Sequence, residues 1–171
     1  MSHTLSRLPS PLGDLLAVTA PDGTLHALDF ADFEARLRRL FARHHPQAVL
    51  TPGEPPVALT VAVTAYFAGD VTALDAVPVA RIGSEFQRRV WAALRQIPAG
   101  ETRSYGQLAA AIGQPTASRA IGLANGANPI GIVVPCHRVI GSGGALTGYA
   151  GGVERKAWLL RHEGALAPLL A

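Results

Sequence analysis

Residues 84–126 read SEFQRRVWAALRQIPAGETRSYGQLAAAIGQPTASRAIGLANG, and their punctuation decides the fold of the C-terminal half. Ser84 followed by Gln87 is a capping box, in which two side chains reciprocally satisfy the free N–H groups of a helix start. Phe86, Val90, Trp91, Leu94 and Ile97 then recur at helical spacing and mark one buried stripe. Pro98-Ala99-Gly100 stops that helix. Ser104 and Gln107 repeat the box before a helix carrying Leu108, Ala109 and Ile112. Gly113 ends it, and Pro115 pre-sets a third helix through Arg119 to about Gly126. Two short helices around a Gly-Gln turn predict a helix-turn-helix. The second of the pair is thin: Ala117, Ala120, Gly122, Ala124 and Gly126 leave Arg119 as its one long side chain. Such a helix suits either close approach to a partner or tight packing on a neighbour.

Downstream, Asn125-Gly126 and the turn Asn128-Pro129 lead through a short apolar run into Pro135-Cys136-His137-Arg138. Cys136 is the only cysteine, which excludes an internal disulfide and a Cys-x-x-Cys zinc clasp and points to a reducing cytoplasm. A lone cysteine is most often a small buried hydrophobe. The imidazole of His137 and the charge of Arg138 argue instead for a nucleophile. Adjacent side chains on a strand face opposite ways, so His137 must sit in a turn or helix start to serve Cys136. A third group should orient the imidazole, and Glu163 or Asp75 could supply it. A Gly-rich stretch, 141–152, contains Tyr149 and precedes an amphipathic helix through Trp158, Leu159 and Leu160, closed by His162-Glu163-Gly164.

Upstream, Leu15 to Phe30 reads as a hairpin about Pro21-Asp22-Gly23. Asp32 is placed to cap a helix with Phe33, Leu37, Leu40 and Phe41 on one face; Arg36, Arg38, Arg39 and Arg43 form its solvated side. A loop from Pro46 to Pro56, a helical stretch ending at Phe67 and Gly69, and an extended segment from Leu74 to Arg81 follow. The expected organisation is an α/β domain with a small antiparallel sheet over 1–82 and a mainly α domain over 83–171. Their net charges are −2 and +5, a modest bias toward a polyanionic partner in the second. Met1 to Pro11 lacks the pattern of a signal peptide, and no apolar run is long enough to span a bilayer. The six histidines are scattered along the sequence, with His44-His45 read as surface, so no metal or organic cofactor is implied.

The stretch from Ser84 to Gly164 closely resembles the O6-alkylguanine-DNA alkyltransferases. The resemblance is carried by FQRRVWAALRQIPAGETRSYGQLA, ASRAIGLANGANP, VVPCHRVIG, GYAGG and RKAWLLRHEG, in order and with similar spacing. It implies a ribonuclease-H-like N-terminal domain without that activity, and a single-turnover protein that flips an alkylated guanine from duplex DNA and takes the alkyl group onto Cys136. By the same resemblance His137 reaches Cys136 through a water, Glu163 orients His137, and Asn128 braces the active-site turn. Tyr105 contacts the target nucleotide and protonates the leaving purine. Arg119 enters the base stack from the minor groove, with Ser118, Ala120 and Arg138 as further DNA contacts. Tyr149, Ala150, Val139 and Trp91 form the lesion pocket. O4-alkylthymine is a second lesion of the same kind, and the protein is expected to act as a monomer away from membranes. Ala150 stands where many members carry Ser, and Gly131 where proline is common.

Three other functions would account for parts of this pattern. A lesion-binding relative that transfers nothing would usually lack the acceptor cysteine, which is present here inside an intact PCHRV. A helix-turn-helix transcription regulator would leave Cys136-His137 and the Gly-rich stretch idle. A cysteine hydrolase would turn over on esters, in surroundings that are apolar and suited to DNA.

Overall fold

The computed structural model describes residues 2–167; the outer limits of the two sequence-based domains, Met1 and Ala171, lie outside them. The chain forms two compact units, one of Met1–Ile82 with Pro129–Val133, the other of Gly83–Asn128 with Val134–Ala171.

The first unit is built on a four-stranded sheet in the order β3-β2-β1-β4, with β1 Ser2–Leu8, β2 Leu15–Thr19, β3 Leu25–Phe30 and β4 Val49–Pro52. The hairpin of β2 and β3 is antiparallel, as is β1 on β2, but β4 runs parallel to β1. The sheet is therefore mixed rather than antiparallel, and the stretch read as a loop from Pro46 to Pro56 contains a strand. Helix α1, Glu34–His44, covers β3 and closes a core of Leu16, Val18, Ala27, Leu37 and Phe41. Asp32 does not cap it: Ala31–Phe33 is a 3-10 turn, and the helix follows Phe33 with no side-chain cap. Nor is Arg36 merely solvated, because it pairs at 2.9 Å with the buried Asp29 carboxylate. Helix α2, Val57–Phe67, packs on a 3-10 turn, Ala73–Ala76, in the segment expected to be extended.

The outer edge of β3 is taken up twice. Residues 78–80 bond to Leu25, and Pro129 and Gly131 bond to Leu28. An edge so occupied cannot pair with another chain. Three histidines of this unit are not scattered in space: His3, His26 and His45 converge, one ring nitrogen of each lying within 4.8 Å of the others.

The second unit holds α3 Glu85–Arg95, α4 Tyr105–Ala111, α5 Ser118–Gly126 and α6 Val153–His162. Both capping boxes form: Ser84 accepts from Gln87 N–H at 3.1 Å, Ser104 from Gln107 N–H at 3.0 Å, and each Gln returns the bond. We expect Ser84→Ala to lower stability by about 1 kcal/mol in urea denaturation, the usual worth of an N-cap. Helices α4 and α5 pack on α3 as a helix-turn-helix, with Gly113 at φ +77° in the turn. A short parallel pair, β5 Arg103–Ser104 and β6 Val139–Ile140, binds the start of α4 to the chain just past Cys136. No helix among the described residues is long and apolar enough to cross a membrane.

Candidate active site

Cys136 opens a 3-10 turn, Cys136–Arg138, entered from Pro135. The turn is what lets neighbouring residues cooperate, since on a strand Cys136 and His137 would diverge. Two asparagines fix the backbone around it. Asn128 Nδ2 donates to the Val134 carbonyl at 2.8 Å, and Asn125 Nδ2 donates to the carbonyl of Cys136 itself at 3.3 Å. Both asparagines are buried. Upstream, Ile132 has φ +67°, a conformation costing a β-branched residue about 1–3 kcal/mol.

His137 is wholly enclosed, and its Nε2 lies 2.8 Å from Glu163 Oε2. Glu163 caps the end of α6. Arg138 closes the group: its Nε donates to Glu163 Oε1 at 2.8 Å, Nη2 to Oε2 at 3.0 Å, and Nη1 to the Ile97 carbonyl at 2.7 Å. Burial alone would push the Glu163 carboxyl up, but the hydrogen bonds and positive charge of His137 and Arg138 outweigh it. The group is held well below the usual carboxylate range. For His137 burial wins over Glu163, so its pKa falls below that of a free imidazole.

Together these directions assign the proton. Glu163 is an acceptor only, so the Nε2–H of a neutral His137 donates to it, and Nδ1 carries the lone pair. Nδ1 is buried and has no hydrogen-bond partner. It is the basic atom of the turn that begins at Cys136.

Lys156 is the residue that the sequence reading missed. It is fully buried in α6, and its ammonium donates to the carbonyls of Val139 at 2.6 Å and Thr147 at 2.7 Å. It thus ties the Gly-rich stretch to β6. Burial lowers its pKa to about 8, and the charge of Cys136 opposes that shift. The attraction is mutual, so the ammonium favours the thiolate. One signal was available: Lys156 is the only lysine in an arginine-rich chain. Asn125 was read only as half of the Asn125-Gly126 pair; it lies at the end of α5 and holds the Cys136 carbonyl.

Tyr105, the first residue of α4, is delivered by the β5–β6 pairing. Its ring lies against Gly122, where a Cβ would stand 3.9 Å away, and its hydroxyl against Gly148, where a Cβ would stand 3.3 Å away. Gly148 also has φ +67°, so glycine serves twice there. Tyr149 sits edge-on to His137, ring centroids 6.4 Å apart, and Ala150 is exposed beside it. Ser118, Arg119 and Ala120 form the exposed start of α5.

Three expectations are corrected. Arg138 is not an exposed DNA contact, because its guanidinium is consumed by Glu163 and Ile97. Trp91 is not a pocket wall: it is 8% exposed and its indole N–H donates to the Ala124 carbonyl at 2.9 Å, pinning α3 to α5. The Val139 side chain is fully buried, and its carbonyl is held by Lys156. Of the two carboxylates offered for His137, Glu163 is its partner; Asp75 lies in the 3-10 turn of the first unit.

Comparison with known proteins matches the same two parts. Residues 85–165 match the DNA-binding domain of 6-O-methylguanine DNA methyltransferase, and residues 5–80 its ribonuclease-like domain. The chain is 49% identical over 162 residues to the methylated-DNA--protein-cysteine methyltransferase of Salmonella typhimurium, covering 94% of this chain and 95% of that one. Among solved structures it resembles Mycobacterium tuberculosis OGT in complex with DNA, with a TM-score of 0.78, 40% identity, and 95% and 93% of the two chains covered. It also resembles the O6-methylguanine-DNA methyltransferase of Pyrococcus kodakaraensis, with a TM-score of 0.68, 25% identity, and 95% and 99% covered.

Proposed function

The chain belongs to the 6-O-methylguanine DNA methyltransferase family, and we propose that it removes O6-alkyl groups from guanine in duplex DNA, with Cys136 as the acceptor. It is a methylated-DNA–protein-cysteine methyltransferase, repairing DNA by direct reversal. The observation that carries the residue assignment is the buried His137–Glu163 bond at 2.8 Å, which leaves the lone pair of Nδ1 free in the turn of Cys136.

The reacting carbon lies inside the stack, so the base has to be extruded, at a cost of a few kcal/mol. Arg119, exposed at the start of α5, fills the gap and offsets part of that cost. An alkylated guanine pairs poorly and flips more readily than its normal counterpart. In the chemical step the Cys136 proton passes through a water to His137 Nδ1. The thiolate then attacks the alkyl carbon in line, an S–C bond forms and the C–O6 bond breaks. The electron pair goes to the purine, which Tyr105 protonates from its hydroxyl. The product is a thioether that water does not hydrolyse, so each molecule acts once. The protein works as a monomer in the cytoplasm, with O4-alkylthymine as a second lesion of the same chemistry.

The direct test is to mix equimolar protein with an oligonucleotide carrying O6-methylguanine and weigh the intact chain. A gain of one methyl group mapped to Cys136 supports the reading; an unchanged mass with the lesion intact refutes it. Arg119→Ala should slow transfer about tenfold or more at low DNA concentration, with saturating DNA restoring part of the loss. Equal rates at low DNA would remove the finger role.

The rate should also depend on pH in a stated direction. Protonating His137 fills Nδ1, so transfer falls in acid. Because the folded pKa is lowered, the fall begins below the ordinary imidazole value of about 6.5. Quenched single-turnover rates between about pH 5 and 8 should be flat near neutrality and decline only at the acid end.

A further inference from the structure

The first unit contains a side-chain cluster with no part in this chemistry. His3 lies on β1, His26 on β3, and His45 at the C-terminal end of α1. We infer that these three imidazoles form a binding site for a divalent transition ion of the zinc type, tying β1, β3 and α1 together.

Three observations converge. First, one ring nitrogen from each histidine lies within 4.8 Å of the others, and His26 Nδ1 is 3.0 Å from His45 Nε2. Zinc–nitrogen bonds of about 2.0–2.1 Å set tetrahedral ligand atoms about 3.4 Å apart, so closure needs only small ring rotations. The ion would take the place of the proton that His26 and His45 share. Second, His3 is 2% exposed, yet neither of its ring nitrogens has a hydrogen-bond partner. A buried imidazole left so is unfavourable unless something satisfies it, and the rings of His26 and His45 face it at centroid distances of 4.6 and 5.2 Å.

Third, the sheet is distorted where the site requires it. The β2–β3 ladder shifts register between Val18 and Thr19: Val18 pairs with Ala27 and Thr19 with Leu25, leaving His26 as the extra residue. A bulge of this kind re-aims a side chain. Consecutive residues then meet the α1 side together, His26 against His45 and Ala27 in the core with Leu37 and Phe41. The exposed carboxylate of Asp22, in the turn before β3, bears electrostatically on both His3 and His26 and adds negative charge for a cation. Burial lowers the pKa of all three rings, which leaves them neutral and able to ligate near neutrality. Three imidazoles suit zinc, with water in the fourth position.

The experiment titrates Co2+ into the untagged, chelator-stripped full-length chain and follows its visible d–d absorption, with Zn2+ as competitor. One equivalent of Co2+ should bind with the spectrum of nitrogen and oxygen ligation and no thiolate charge-transfer band, and Zn2+ should displace it and raise the melting temperature. His26→Asn and His45→Asn should each weaken binding at least tenfold, while Cys136→Ala and His44→Ala bind as before. If His26→Asn does not fold by circular dichroism, His45→Asn at the half-buried helix end decides. No saturable absorption, binding that survives both substitutions, or binding lost with Cys136→Ala would each overturn the site.

Discussion

Cys136→Ala is expected to gain no mass on methylated DNA at any ratio of protein to lesion, while still binding that DNA. The reason is atomic: the S–C bond of the product has no other sulfur to form on, since the chain has one cysteine, and hydroxyl groups are poor nucleophiles without comparable activation. The helix-turn-helix and Arg119 are untouched by the change, so gel-shift affinity should stay within about threefold, a fraction of a kcal/mol. Two readings separate the roles. Loss of transfer with binding kept assigns Cys136 to chemistry. Any methyl recovered on another residue would sink the single-acceptor account.

Glu163→Gln should have the second largest effect, and it should act on rate and on stability together. Both carboxylate oxygens accept from Arg138, and Oε2 also accepts from His137. Whichever way a glutamine amide is turned, an N–H meets a donor of Arg138. With the amide on the Oε2 side, His137 must also move its proton to Nδ1, which removes the basic lone pair. We expect single-turnover transfer to fall about a hundredfold or more. Breaking one partner of a buried ion pair typically costs about 3–5 kcal/mol, here because Arg138 loses its counter-charge. The pH dependence distinguishes this from simple loosening. A carboxylate held below its unfolded value contributes stability above about pH 4.3 and loses it as the pH falls further. The stability gap between the chain and its Glu163→Gln form should therefore narrow in acid. A gap constant down to low pH would mean that the charge is not what matters. Glu163 acts through His137 and is a positioning residue.

The sequence was most legible where structure is local. Ser84 with Gln87 and Ser104 with Gln107 name helix starts because both partners of each bond lie three residues apart, and the structure forms all four bonds. The hairpin of β2 and β3 was readable for the same reason. Strands β1 and β4 were not. β1 alternates poorly, with His3 and Ser6 buried beside Leu8, and β4 is four residues long and finds its partner across the intervening hairpin and helix. At the site, adjacency suggested the Cys136–His137 pair and left Glu163 and Asp75 both open as its third member; the resemblance alone chose Glu163. What failed was the assumption that charge faces water. Arg138 and Lys156 are buried because each finds enough acceptors, two carboxylate oxygens and a carbonyl for one, two carbonyls for the other. The meeting of His3, His26 and His45 depends on a bulge and on sheet order, neither of which leaves a local trace.

The five residues Pro129–Val133 belong to the first unit although their neighbours on both sides belong to the second. Severing the gene after Ile82 would consequently not yield two self-contained products. The shorter piece would expose the backbone of Leu28, and the longer would carry five apolar-rich residues deprived of their ladder, ending two residues short of the reactive cysteine. Anyone wishing to study the helical half by itself should co-express the missing part in trans, where a split pair can reassemble.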